Sequence, residues 1–176
     1  MMRRARRGQS LVEMAMIAPF LIMILLTMID VGRAAWTYST LSEAAREAAR
    51  AAITTGNSKP TDARVVGAAQ TYAIGMVLSG ATCTNDAPPA TPSMDANTGL
   101  IYVGAPSGSG PGSPNAPGGE AAAPAGGCGA VVPAYAGRYP LTVTIKYNFQ
   151  PLTPFASQFF AGGIVMTVSS TMSTEF

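Results

Sequence analysis

Between Glu13 and Asp30 the chain runs through sixteen residues, MAMIAPFLIMILLTMI, without a charge. That run constrains the fold more than any other feature. It is a little shorter than the roughly 20 residues needed to cross a hydrocarbon core, and Leu11, Val12 and Val31 extend it. At about 1.5 Å of rise per residue, Glu13 and Asp30 stand roughly 25 Å apart along a helix, one near each edge of a bilayer. Pro19 is tolerable in such a helix where neighbouring helices satisfy the freed carbonyl. Arg3, Arg4, Arg6 and Arg7 precede the run. Arginines beside a span stay cytoplasmic, so the remainder of the chain is expected outside. Without residues 1–8, seven basic residues face nine acidic ones, which leaves no basic surface for nucleic acid.

The helical pattern continues through DVGRAAWTYSTLSEAAREAARAAI, which predicts one helix from about Ser10 to Ile53. Trp36 and Tyr38 fall where amphipathic rings favour the membrane interface. Glu43 faces Arg46, and Glu47 faces Arg50, at i, i+3 spacing, while the alanines between them offer a slim packing surface. TTGNSKP breaks the pattern. A second amphipathic helix is expected over Thr61 to Ser79, ending at Gly80 and packed on the alanine face of the first. Residues 81–138 are rich in Gly, Pro, Ser, Ala and Asn and cannot bury enough apolar surface to offset their ordering entropy. They are expected to form an exposed, mobile loop, interrupted by a short strand at Leu100 to Val103. In PLTVTIKYNFQ, Leu141, Val143, Ile145, Tyr147 and Phe149 alternate with polar residues, the period of a half-buried strand. A second strand-like run, GIVMTVSSTMSTE, follows the connector PLTPFASQFFAGG. The expectation is an α+β chain with a transmembrane helix at 9–32, a helical part at 33–80, and a small antiparallel sheet in the C-terminal region, 139–176, covered by the helices.

The chemistry of the chain is sparse. Only 11% of its residues are charged, against roughly 25% in a typical soluble domain, so much of its surface faces something other than bulk water. No histidine occurs, which removes the commonest general base and the commonest zinc ligand and excludes Ser/His/Asp and Cys/His catalysis. The glycine-rich APSGSGPGS lacks the Lys-Ser/Thr ending of a phosphate loop. We therefore expect no catalytic residues, no metal, no cofactor and no small-molecule substrate. Cys83 and Cys128 fall in the loop placed outside the cytoplasm. They can form a disulfide or remain two free thiols; the compartment and the even count favour the disulfide. Asp30 and Arg33 are i, i+3 neighbours that can neutralise each other at the outer interface, while Gly32 can let another helix approach closely.

Glu13 has a local explanation. Ser10 to Glu13 reads S-x-x-E, a capping box in which Ser10 caps the helix and the glutamate reaches back to the cap's amide. That does not account for the flanking arginines, the glycine at position 8, or the apolar run that follows. R-R-G-Q-S-L-V-E resembles the cleavage site of a type IV prepilin-like leader, cut after the glycine by a membrane aspartic peptidase. RRGQSLVEMAMIAP, IDVGRAAW, SEAAREAARAA, VTIKYNFQPLTPF and VSSTMSTE, in that order, are similar to the TadE-like pseudopilins of the tight-adherence (Tad) pilus. The resemblance covers most of residues 6 to 53 and 141 to 175.

The resemblance implies a type IV pilin-like fold, a leader at residues 1–8, and cleavage between Gly8 and Gln9. Glu13 would become the fifth residue of the mature chain and pair with the free amine of Gln9, in its own chain or a neighbour's, to set register during assembly. Met14 stands where the major pilins of this system carry tyrosine, so the resemblance is to a minor pilin. Its implied partners are the prepilin peptidase, other Tad pilins, the inner-membrane assembly platform and membrane lipid. Its implied location is the cytoplasmic membrane, single-pass, with the C-terminal part outside. Two other readings remain open. One is a membrane-anchored binding domain with no pilus role; the other is ordinary secretion, with cleavage near Ala34 to Ala35, for which the apolar segment is long.

Overall fold

In the computed structural model, the charge-free run and the alanine-rich stretch after it form one helix. The structure describes residues 5–53, 62–81, 88–104, 140–160 and 162–173. Helix α1 (Ala5–Ile53) has 49 residues, which at 1.5 Å each makes it about 74 Å long. Pro19 lies inside it without ending it. The helix is already under way at Ala5. Ser10 is therefore an interior helical residue and not the N-cap that the S-x-x-E spacing suggested. A cap must sit at non-helical backbone with unsatisfied N–H groups ahead of it, and at Ser10 the preceding turn is already helical.

The two halves of α1 differ in what covers them. From Gln9 to Ile29 almost every residue is exposed, and the most apolar stretch of the helix, long and apolar enough to cross a membrane, has 0% of its residues buried. Thr27, the one hydroxyl in the apolar run, donates to the Met23 carbonyl at 2.8 Å, which hides its polarity inside the helix. From Asp30 onward a buried stripe appears: Asp30, Thr37, Leu41, Ala44, Ala45, Ala48 and Ala49. These residues recur at helical intervals of three, four and seven, so they share one face.

Helix α2 (Asp62–Tyr72) lays Val65, Val66 and Ala69 against that stripe. It is shorter than its sequence suggested. Gly75, at φ +76, turns the chain, and Val77 and Leu78, which recur at helical spacing, instead form strand β1 (Val77–Gly80). Gln70 of α2 secures the change of direction by donating to the Leu78 carbonyl at 2.9 Å. The sheet continues with β2 (Thr98–Gly104), β3 (Pro140–Phe149) and β4 (Ile164–Ser173); a short helix, α3 (Pro154–Phe159), lies in the connector between β3 and β4. The strand order is β1-β2-β3-β4. β3 and β4 pair antiparallel over ten residues, as the alternation predicted. The sheet as a whole is mixed and not purely antiparallel, because β1 runs parallel to β2. β2 also extends the strand expected at Leu100 to Val103 by two residues at its start and one at its end.

Leu141, Val143, Ile145, Tyr147 and Phe149 point from β3 into the core shared with α1 and α2. The opposite face of β3 is covered by residues 88–97. Lys146 Nζ donates to the carbonyls of Pro89 at 2.6 Å and Ala90 at 2.9 Å, and Asn148 Nδ2 donates to Met94 at 3.3 Å and Asp95 at 3.4 Å. A stretch of the glycine- and proline-rich region thus contributes ordered backbone. It is held through side chains whose polarity, read alone, suggested a solvated face. Cys83 and Cys128 lie outside the described residues.

Candidate functional site at the foot of the sheet

Asp30 closes the apolar run and opens the buried stripe. It is only 6% exposed, and a buried carboxylate persists as an ion only when its lone pairs are satisfied. Four donors do so. The Leu152 and Thr153 amides donate at 3.1 Å each, the Thr153 hydroxyl at 2.6 Å, and the Arg33 guanidinium at 3.3 Å.

Local sequence explains this convergence. In Pro151-Leu152-Thr153-Pro154 the two prolines have no N–H, so the only amides of the tetrapeptide are those of Leu152 and Thr153. Both go to the same carboxylate. Pro154 also begins α3, and Thr153, at its N-cap with extended backbone, makes no side-chain cap bond. Its hydroxyl is committed to Asp30 instead. Arg33 completes the group: its guanidinium carbon lies 5.3 Å from the Phe149 ring centroid, over the last residue of β3, in cation–π range. The result is a latch between α1 and the β3–α3 connection, joining residues more than 120 positions apart.

The expected Asp30–Arg33 pair is present, but it is the smaller part of the site. Sequence reasoning missed Thr153 and Leu152. A signal existed: a carboxylate at the end of a membrane-length run needs named partners, and PLTP offers two amides and a hydroxyl.

At the other end of α1, Gly8 and Gln9 are helical, so the Gly8–Gln9 bond lies within the first turns. Glu13 is exposed and accepts from Gln9 Nε2 at 3.4 Å, one turn away. Asp30 and Glu13 thus differ in kind. One carboxylate is consumed by the fold, while the other, exposed and touched by its i, i+4 neighbour Gln9, is available to something outside.

Among known proteins, the model of the family described as TadE-like protein matches residues 8–50. That segment contains Gly8, Glu13, Asp30 and Arg33. No curated protein and no solved structure matches significantly.

Proposed function

We propose that this chain, whose residues 8–50 match the TadE-like family model, is a membrane-anchored minor pilin, or pseudopilin, that acts in assembly or initiation of a Tad-type adhesive pilus and has no enzymatic activity. The observation that carries the proposal is the family match across one helix with Gly8, Glu13 and Asp30 in order and an uncovered apolar face between the two carboxylates. In this reading residues 1–8 stay on the cytoplasmic side as a leader, residues 9–32 hold the chain in the inner membrane, and the sheet lies outside.

The geometry supports a division of labour along α1. The Asp30 latch fixes the globular part to the helix at one height. The helix below it is free to contact lipid first and neighbouring helices later. The prepilin peptidase cuts after Gly8. A glycine near a helix start assists, since Gly weakens a helix by roughly 1 kcal/mol relative to Ala and lets the bond become extended for cleavage. The new amine at Gln9 pairs with Glu13 of its own or a neighbouring subunit. The other Tad pilins and the inner-membrane platform are the remaining partners, and Cys83 and Cys128 form a disulfide in the outer compartment.

N-terminal sequencing and intact mass of the protein purified from its host's membranes test the proposal. A mature chain beginning at Gln9, lost in Gly8→Ala, is expected. Glu13→Gln should be cut normally yet fail to support piliation. A chain that keeps Met1 or Met2, with normal pili in both variants, would favour an anchored binding domain instead.

A further inference from the structure

A cavity of about 290 Å³ lies just above the latch, between α1 and the end of the sheet, with Arg33, Trp36, Thr37, Asn97, Tyr147 and Phe149 in its wall. Its polar groups are mostly donors with hydrogens to spare. Arg33 uses one nitrogen on Asp30. Asn97 accepts from the Gln150 amide through Oδ1 at 3.1 Å, and its side-chain N–H groups have no partner among the described residues. Thr37 is the telling residue. Thr27 and Thr40 turn their hydroxyls back to the carbonyl one turn earlier; Thr37, only 6% exposed, makes no side-chain hydrogen bond among the described residues. Among the described residues the one buried side-chain polar atom without a partner is Asn148 Oδ1, so the Thr37 hydroxyl is open to the cavity and free to donate to an acceptor there.

The electrostatics select the acceptor's charge. No carboxylate lines the cavity, and Asp30, the one beside it, already accepts from four donors. Burial pushes the Tyr147 phenol above its ordinary value, against a smaller opposing pull from Arg33, so it stays neutral; its hydroxyl donates to the Asn97 carbonyl at 3.0 Å. Among the described residues Arg33 is therefore the only charge in the wall, and it is 35% exposed.

Height along α1 selects the source. Arg33 lies about 4.5 Å and Thr37 about 10 Å beyond Asp30 along the axis. The headgroup layer adds roughly 5–7 Å to each side of the hydrocarbon core, so the donors stand at the level of lipid phosphates. Trp36, 55% exposed at the rim, is the ring type favoured at that depth.

We propose that this cavity binds the phosphodiester of a phospholipid headgroup from the outer leaflet, with Arg33, Thr37 and Asn97 as donors to its oxygens. The proposal rests on the membrane-anchored part of the functional reading and not on the pilus. A chain that is cut and supports piliation but binds no lipid would lose only the cavity's role.

Trp36 is the chain's single tryptophan, so it reports on the site directly. The full chain in a phosphate-free maltoside detergent is titrated with short-chain phosphatidylglycerol, with the matching diacylglycerol and with inorganic phosphate, following Trp36 emission. The expected result is saturation by phosphatidylglycerol, no saturation by diacylglycerol, and competition by phosphate only at much higher concentration. Arg33→Gln should remove saturation, and Thr37→Val, which leaves the latch intact, should weaken it about tenfold, the usual worth of a hydrogen bond to a charged group. Equal responses to diacylglycerol, or wild-type affinity in Thr37→Val, would overturn the proposal. Phosphate binding as tightly as the lipid would make this a free-anion site and overturn the lipid assignment.

Discussion

Asp30 shows how much one side chain can organise. Its carboxylate satisfies two amides, a hydroxyl and a guanidinium. Asp30→Ala would strand Arg33 and leave buried donors unpaired, and the expected loss is about 3–5 kcal/mol. Thr153→Val removes one charge-assisted bond and should cost about 1.5–3 kcal/mol. Because both variants break the same contact, the double variant should fall short of their sum. Urea unfolding of the four proteins in detergent, followed through Trp36, checks both costs and their non-additivity. The sequence displayed Asp30, Arg33 and their spacing. It did not display Thr153 as their partner, because that contact joins residues 123 positions apart and no local period encodes it. Gly163 is similar. Its φ of +77 and the Asn148 Oδ1 that an added Cβ would meet belong to the folded sheet, and nothing in FAGGIV shows which glycine turns the corner.

At the scale of elements, charge spacing and alternation were the readable signals. A charge-free run followed by alanines at i, i+3 and i+4 marked α1, strict alternation marked β3, and a second strand-like run marked β4. Val77 and Leu78 misled because they continued the helical spacing of α2, while Gly75 and the parallel ladder to β2 claimed them for the sheet. Parallel pairing depends on a remote strand, so tertiary contact overrode a local pattern. On α1 itself, the two faces should respond differently to substitution. Ala48 is fully buried in the core, and Ala48→Leu should cost about 1–3 kcal/mol through overpacking. Glu43 is exposed and 3.9 Å from Arg46, so Glu43→Ala should lie within about 0.5 kcal/mol of wild type. Thermal unfolding by circular dichroism separates these outcomes.

For the whole molecule, the core begins where the apolar run ends. Among the described residues none before Asp30 belongs to the buried cluster, so a fragment of residues 30–176 should keep the latch, the sheet and their cooperative unfolding while no longer partitioning into membranes. Size-exclusion chromatography without detergent, together with circular dichroism, tests this; a fragment that aggregates or lacks strand signal would show that the exposed half of α1 supports the fold. An apolar stalk with a separate folded head was legible from hydropathy and charge alone. The point of attachment was not.

That attachment decides how the molecule would bear load. A pull on the lower half of α1 reaches the head at Asp30, where hydrogen bonds carry it across to residues 152–153 beside the end of β3. β3 is an inner strand, with ladders to β2 on one side and β4 on the other. Tension is thus handed to the sheet's most extensively paired strand and spread over both ladders. It need not travel the length of the backbone between α1 and the sheet. Under such a pull the first bonds to yield would be those of a single carboxylate, ahead of the core behind it.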